Sequence, residues 1–193
     1  MISMIEQSKQ YLEKLHTTTQ VFDWQLIESL AEHMLSAISL KKQLFICGNG
    51  GSAGNAIHLA NDFLYGVEPN GGAVRIEALP ANSAVITCLG NDIGYENIFS
   101  HQLKVKAQAG DLLIVLSGSG NSPNILAVLE QAKKMHVTSF AVLGFSGGKA
   151  KQLADFPLHF QVDDMQIAED LQMIVGHILM QYLHKKLRRS DCN

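Results

Sequence analysis

Three serines within six residues form the first candidate site in this sequence. Ser117, Ser119 and Ser122 belong to the stretch SGSGNSPN, in which Gly118 separates the first two, and this stretch follows the apolar run DLLIVL. A helical pattern with Pro123 near its start comes next. Small residues let a backbone approach an anion, hydroxyls donate to its oxygens, and a helix N-terminus adds free N–H groups. The loop therefore predicts a phosphate site without a lysine, whereas a plain strand-to-helix turn capped by one serine is the simpler alternative.

A second glycine-rich turn, GNGGSAGN, follows the apolar run LFIC. Gly48, Gly50 and Ala53 fit the G-x-G-x-x-A pattern of a dinucleotide site, but such a site also needs an acidic residue about 20 residues further on, at the end of the next strand. Glu77 is the nearest candidate, and it comes late. Because a dinucleotide would also leave the serine loop without a role, the sequence disfavours one here. A sugar phosphate and a turn that binds nothing stay open as alternatives.

Four ionisable side chains on two predicted helices are candidates for metal binding or acid/base chemistry. His58 and Asp62 are four residues apart, so they share one helix face, although such pairs are often only surface hydrogen bonds. Glu169 and His177 interrupt an otherwise apolar face of the last helix. They are about 12 Å apart along an ideal helix, so they can share one ion only if they lean toward each other.

Asn91 and Asp92 form a further polar pair, in the stretch LGNDIGYEN. The pattern predicts that they lie in a polar turn between helical segments. Asp92 is then either a ligand-binding residue or the cap of a helix that begins near Tyr95.

The elements that would position these residues alternate along the chain. Residues 1–41 carry two amphipathic helical patterns and predict an N-terminal helical hairpin. Short apolar runs separated by helical sequence follow, and they predict a central parallel sheet in a three-layer α/β/α sandwich. The predicted strands are QLFIC, AVRIEA, DLLIVL, TSFAVLG and FPLHFQV, and the predicted helical segments are 52–65, 82–107, 121–136 and 166–189. Both small-residue loops then lie at the C-terminal ends of strands, where open parallel sheets bind ligands.

Length and composition predict one domain over residues 1–193 and disfavour two classes of function. The 193 residues are 47% hydrophobic, and 15 basic against 18 acidic residues give a net charge of −3, so no general basic field would attract nucleic acid. The basic tail HKKLRR is interpreted as a solvated helix end rather than a nucleic-acid patch. No apolar run approaches the ~20 residues of a membrane span. Cys47, Cys88 and Cys192 form no pairing motif, which favours a reducing, cytoplasmic location.

The ordered combination of motifs resembles the SIS (sugar isomerase) domain family, and within it the sedoheptulose-7-phosphate isomerases. The resemblance covers nearly the whole chain, through CGNGGSAGNAIHLA, GNDIGYENIFSHQL, GDLLIVLSGSGNSPNIL, the GFSGGK turn and the HILMQYL ending. It implies a phosphosugar aldose–ketose isomerase that converts sedoheptulose 7-phosphate to D-glycero-D-manno-heptose 7-phosphate. It also implies a homotetramer with sites at subunit contacts.

The resemblance further implies a role for particular residues. A first group binds the phosphorylated sugar, and a second group holds zinc or another divalent metal. The first group is Asn49, Gly50, Gly51, Ser52, Asn91, Asp92, Ser117, Gly118, Ser119, Ser122 and Glu169, and the second is His58, Asp62, Glu169 and His177. In the implied mechanism Asp62 removes the C–H proton beside the carbonyl, His177 moves a proton between the oxygens, and the metal polarises those oxygens.

The sequence departs from the family pattern where the chemistry is expected. Where the family has a glutamate this chain has Asp62, and where the family has a glutamine it has Glu169. The family string R-I-Q-E is replaced by IAED. The family motif G-R-[YF] is replaced by GVE, so an expected arginine is absent. With Asp62 and Glu169 both ionised, the site favours a firmly held dication.

Two alternatives to the heptose isomerase stay open. One is a non-catalytic SIS protein like the DnaA initiator-associating protein, which resembles a family member that has lost the acid and the last-helix histidine. This chain keeps Asp62 and His177, which favours an enzyme. The other is an isomerase or epimerase of a different phosphosugar, which the residues at positions 62 and 169 would fit.

Overall fold

A five-stranded parallel sheet forms the centre of the computed structural model, which describes residues 2–71 and 74–190. Its strand order is β2-β1-β3-β4-β5, so the chain leaves β1 in one direction and returns to β3 on the other side of it. The strands are β1 (Gln43–Gly48), β2 (Arg75–Ala78), β3 (Leu112–Ser117), β4 (Thr138–Leu143) and β5 (Phe156–His159). All five predicted strands are confirmed, although β2 begins at Arg75 and the predicted start of that strand, Ala73, lies outside the described residues.

The connections between the strands are helical. The helices are α1 (Met4–Gln20), α2 (Gln25–Ser39), α3 (Gly51–Asn61), α4 (Ser83–Ile93), α5 (Ile98–Lys106), α6 (Pro123–Lys134), α7 (Ala150–Leu153) and α8 (Met165–Ser190). A π-helical turn, Asp62–Gly66, continues α3, and a 3₁₀ turn, Tyr95–Asn97, precedes α5. The predicted helical segments are therefore present, and the last helix begins one residue before its predicted start.

Alternating side chains of the strands supply two apolar cores, one on each face of the sheet. Leu44 and Ile46 of β1 face the core formed with α2, α3 and α8. Phe45 and Cys47 face the core formed with α5, α6 and α7. Since successive residues of a strand point to opposite faces, strands that are apolar throughout require cover on both sides. The three-layer α/β/α sandwich is confirmed.

The two N-terminal helices pack against the last helix. The Tyr11 hydroxyl of α1 donates to Asp170 Oδ2 at 2.5 Å, and Lys14 Nζ lies 2.9 Å from Asp164 Oδ2. Burial, together with the hydrogen bond and the negative charge of Asp170, raises the pKa of Tyr11 to about 12. The N-terminal segment is therefore joined to α8 by polar as well as apolar contacts.

The polar turn predicted at Asn91 and Asp92 is wrong. Both residues lie in the last turn of α4, because the helical pattern continues to Ile93 and the chain reverses at Gly94, whose φ of 88° suits glycine. The Asn91 side chain donates to Asp92 Oδ1 at 2.8 Å, and Asp92 does not cap a helix near Tyr95.

Two predictions from the sequence concerned unpaired cysteines and the absence of a membrane span. Cys47 and Cys88 are free thiols, and burial raises the pKa of Cys47 well above its usual range. Cys192 lies outside the described residues. Among residues 2–71 and 74–190, none of the helices has the length and apolar composition needed to cross a membrane.

The packing of α3 against α8 is closest at Gly176. A methyl group added at this glycine would overlap the side chain of Leu59, which is 2% exposed. His58 precedes Leu59 and His177 follows Gly176, so this contact brings the two imidazole rings together edge to face, with their centroids 5.6 Å apart.

We expect Gly176→Ala to lower the free energy of unfolding. Overpacking a buried contact costs about 1–3 kcal/mol, which exceeds the ~1 kcal/mol that alanine gains over glycine inside a helix. The matched control is Gly54→Ala in α3, where a methyl group meets open space and should stabilise the protein. Urea unfolding of the two variants measures the difference, and equal stabilities would contradict the close packing described here.

Candidate functional site

A cavity of about 290 Å³ opens at the C-terminal ends of β1 and β3. The chain leaves these two neighbouring strands in opposite directions, which is where open α/β sheets form a ligand crevice. The lining residues are Asn49, Gly50, Gly51, Ser52, Leu116, Ser117, Gly118, Ser119, Ser122, Met165 and Glu169. Apart from Leu116 and Met165, all of them were expected from the sequence at the phosphate and sugar site, and none is lysine or arginine.

The first loop turns β1 into α3 at Gly50, whose φ of 54° an L side chain rarely adopts. Helix α3 therefore begins with its free N–H groups directed at the cavity, which favours an anion there. The carboxylate of Glu169 lies directly against Gly51, so closely that a side chain at position 51 would overlap it. This end of α3 is thus built for negative charge, and one carboxylate of the protein is already beside it.

The second loop turns β3 into α6 and has its hydroxyls held by its own backbone. Ser117 Oγ accepts from the N–H of Gly120 at 3.0 Å, and Ser119 Oγ accepts from the N–H of Asn121 at 3.3 Å. Ser122 is the N-cap residue of α6 and makes no side-chain capping bond. A hydroxyl that accepts an N–H keeps its own proton for another acceptor, such as a phosphate oxygen.

The segment after β4 fixes the position of this loop. The N–H of Lys149 donates to Asn121 Oδ1 at 3.1 Å, and the N–H of Ala150 donates to the carbonyl oxygen of Gly120 at 2.9 Å. Gly120 itself leaves no room for a side chain beside the backbone of Gly147. The GFSGGK turn therefore supports the loop from behind.

An amide pair joins the two loops, and sequence reasoning missed half of it. Asn49 and Asn124 exchange two side-chain hydrogen bonds, each of 2.8 Å, and Asn124 is 1% exposed. The hydroxyl of Tyr95 also donates to Asn49 Oδ1, at 3.1 Å. The signal for Asn124 was its place directly after Pro123 in the serine-rich motif. These contacts fix the orientation of Asn49 at the wall of the cavity.

Three of the four expected metal-binding residues converge on one point. Asp62 Oδ2 lies 3.4 Å from His58 Nε2 and 3.3 Å from His177 Nε2, and the two Nε2 atoms are 3.5 Å apart. Ligands of a tetrahedral zinc ion, each about 2.0–2.2 Å from it, are about 3.4 Å from one another. Two imidazoles and a carboxylate are ligands that zinc accepts, so the three residues fit a divalent ion.

This cluster is partly open to solvent. The side chains of His58 and His177 are 53% and 45% exposed, whereas that of Asp62 is 19% exposed. Asp62 begins the π-helical turn, a feature that often occurs at functional sites. The carboxylate therefore lies on the protein side of the cluster, and the imidazoles face the space that a substrate or ligand can enter.

The structure does not bring every expected residue together. Glu169 lies at the cavity, against Gly51, and is not part of the three-residue cluster. Asn91 and Asp92 are exposed on α4 and do not line the cavity. From that part of the chain it is Tyr95 that reaches the first loop.

The fold and the two loops define a class, that of parallel α/β domains with an anion-binding crevice at the switch point of the sheet. The profile of the SIS domain matches residues 5–144, and the chain belongs to the SIS domain family. The resemblance seen in the sequence is confirmed.

The similar proteins are phosphoheptose isomerases. The phosphoheptose isomerase of Clostridium acetobutylicum is 37% identical over 161 residues, covering 83% of this chain and 82% of that protein. The one from Akkermansia muciniphila is 34% identical, covering 83% and 85%. The structure of a phosphoheptose isomerase from Francisella tularensis superposes with a TM-score of 0.88 at 25% identity, covering 95% of this chain and all of that one.

We expect Asn124→Leu to destabilise the protein by about 1–3 kcal/mol, because it leaves the amide of Asn49 without its buried partner. Urea unfolding measures the loss. Asn49→Leu alone should cost a similar amount, and the double variant should cost clearly less than the sum, since both substitutions remove the same pair of bonds. Additive losses would contradict the pairing.

Proposed function

We propose that this protein is a phosphosugar aldose–ketose isomerase that interconverts sedoheptulose 7-phosphate and D-glycero-D-manno-heptose 7-phosphate. The observation that carries the proposal is the convergence of His58, Asp62 and His177 within 3.5 Å, on the same two helices that line the anion-binding cavity. The phosphoheptose isomerases to which the chain is similar support the choice of substrate.

The two parts of the site are separated along α3. Ser52 at the cavity and His58 in the cluster are six residues apart, about 9 Å along an α-helix. A heptose 7-phosphate has its phosphate and its reacting carbons at opposite ends of the carbon chain. The cavity would hold the phosphate through Ser52, Ser117, Ser119 and Ser122, and the reacting carbons would then extend toward the cluster.

The reaction is a proton transfer between neighbouring carbons. In the direction from ketose to aldose, Asp62 takes a proton from C1. The C–H electron pair forms a C1–C2 double bond while the π pair of the C2 carbonyl moves onto the C2 oxygen, which gives an enediolate. His177 accepts the proton of the C1 hydroxyl and returns it to the C2 oxygen. Asp62 then delivers its proton to C2, so that C1 becomes the carbonyl carbon and no atom is gained or lost.

His58, Asp62 and His177 would hold a zinc ion or another divalent metal. When bound, such an ion supplies positive charge that polarises the sugar oxygens and stabilises negative charge on them. The contact of Glu169 with Gly51 supports a role on the substrate side of the site, and its contribution to the ion is tested below.

The homotetramer and the contribution of Asn91 and Asp92 to the sugar site, both implied by the family resemblance, stay predictions. So does the cytoplasmic location, which was predicted from the cysteines. Exposed apolar side chains such as Leu12 on α1 and Leu64 in the π-helical turn, 62% and 60% exposed, would supply apolar surface for subunit contacts.

We expect the purified, zinc-supplemented protein to convert sedoheptulose 7-phosphate to the aldoheptose phosphate, followed by NMR. Asp62→Asn keeps the size of the side chain but removes the base, so kcat should fall by about a hundredfold or more. Asp163→Asn, on an exposed aspartate outside the site, is the matched control and should retain full activity.

Two other outcomes of this experiment would change the assignment. Turnover that persists in Asp62→Asn would remove Asp62 from the role of base. Absence of turnover in the unsubstituted protein, with conversion of a different ketose phosphate in a substrate panel, would leave an isomerase of another sugar.

We expect one zinc ion per chain in equilibrium dialysis, together with a zinc-dependent rise in Tm. His58→Ala removes one of three ligands and should abolish both effects, whereas His101→Ala, an exposed histidine on α5, should change neither. Undiminished zinc binding by His58→Ala would place the ion elsewhere. Glu169→Gln in the same assay reports whether that carboxylate adds to the affinity.

A further inference from the structure

A series of side-chain hydrogen bonds, largely shielded from solvent, connects α8 to the start of α3. Asn55 Nδ2 donates to the carbonyl oxygen of Glu169 and to Gln172 Oε1, both at 3.0 Å. Gln172 Nε2 in turn donates to Ser52 Oγ, also at 3.0 Å. Gln172 is 1% exposed and Ser52 is 4% exposed, so solvent does not compete for the bond between them, whereas Asn55 is half-buried.

The donor and acceptor of each of these hydrogen bonds follow from the first bond, which joins Asn55 to the carbonyl oxygen of Glu169. A backbone carbonyl can only accept, so Asn55 must present its NH₂ group to Glu169. The same NH₂ group faces Gln172, which must therefore present its oxygen to Asn55 and its nitrogen to Ser52. Ser52 Oγ is thus obliged to be an acceptor inside the protein.

The consequence concerns the single proton of the Ser52 hydroxyl. Within residues 2–71 and 74–190, Ser52 Oγ donates to no protein group, while Ser52 lines the cavity. Ser117 and Ser119 are in the same state, because each accepts a backbone N–H. For those two serines the N–H comes from their own loop, whereas for Ser52 it comes from Gln172 on a different helix.

We propose that Gln172 is a positioning residue that makes Ser52 a hydrogen-bond donor to the phosphate of the substrate. A phosphate oxygen only accepts, so a serine can bind it through its hydroxyl only if that proton is not used within the protein. Gln172 ensures this by occupying the acceptor side of Ser52. The inference rests on the proposed function, since it takes Ser52 as a phosphate ligand.

A buried glutamine with satisfied hydrogen bonds can also be purely structural, and the two roles differ in their dependence on Ser52. A structural role acts on the fold and persists when the serine is absent. A positioning role acts through the hydroxyl and disappears with it. The combination of substitutions at positions 172 and 52 therefore separates them.

The test measures inhibition by inorganic phosphate, the KM for sedoheptulose 7-phosphate and kcat. Gln172→Met keeps the volume and removes the donor to Ser52. We expect the Ki for phosphate and the KM to rise about tenfold, the size of one lost hydrogen bond to a charged group, with kcat within about twofold. In the Ser52→Ala background the same substitution should change Ki and KM by less than about twofold.

A second variant keeps the test decisive if Gln172→Met folds poorly. Gln172→Glu still accepts from Asn55 but offers only acceptors to Ser52, so the hydroxyl proton should turn away from the ligand. Phosphate affinity should then fall at least as much as in Ser52→Ala. The Ser52→Ala background measures the part of the loss that is due to the added charge alone, and Gln181→Glu, an exposed residue of α8, controls for a charge on that helix.

Equal effects of the position 172 substitutions with and without Ser52, or no effect at all, would overturn the positioning role while leaving the isomerase intact. Failure of the unsubstituted protein to turn over a heptose phosphate and to bind phosphate would instead overturn the proposed function, and the inference with it. The two failures are thus distinguished by the unsubstituted protein.

Discussion

The close, side-by-side packing of α3 against α8 is the constraint on which the site depends. Four sets of contacts follow one another along the two helices. In order, they are Gly51 with Glu169, Ser52 and Asn55 with Gln172, Leu59 with Gly176, and Asp62 with His177. Each turn of α3 thus faces a corresponding turn of α8. The apolar contact at Leu59 holds the helices together, and the polar contacts on either side of it carry the chemistry.

This arrangement explains which parts of the site could be predicted from the sequence. The serine loop and the glycine turn are local motifs, and the parallel sheet places both at one edge, so their meeting in one cavity followed from the pattern. The pairing of His58 with Asp62 followed from helical spacing. The approach of His177 did not, because it depends on how far α8 slides along α3, which packing at Gly176 decides.

The residues that sequence reasoning missed are those whose partners are distant in the chain. Asn124 and Gln172 are 75 and 120 residues from the groups that they bond, and each looks like an ordinary polar residue of a helix. Gln172 did carry a signal, since it lies on the same face of α8 as the predicted Glu169. The polar turn predicted at Asn91 failed for a different reason, because α4 continues through Gly90, a residue that often ends a helix, and stops only at Gly94.

The absence of lysine and arginine from the lining of the cavity makes the direction of each hydrogen bond important. A cation attracts phosphate whatever its orientation, whereas a hydroxyl attracts it only as a donor. A cavity that relies on serines must therefore occupy the acceptor side of each hydroxyl with an N–H from the protein. The loop backbone does so for Ser117 and Ser119, and α8 does so for Ser52. The same helix contact that brings His177 to Asp62 thereby also prepares the other end of the site for an anion.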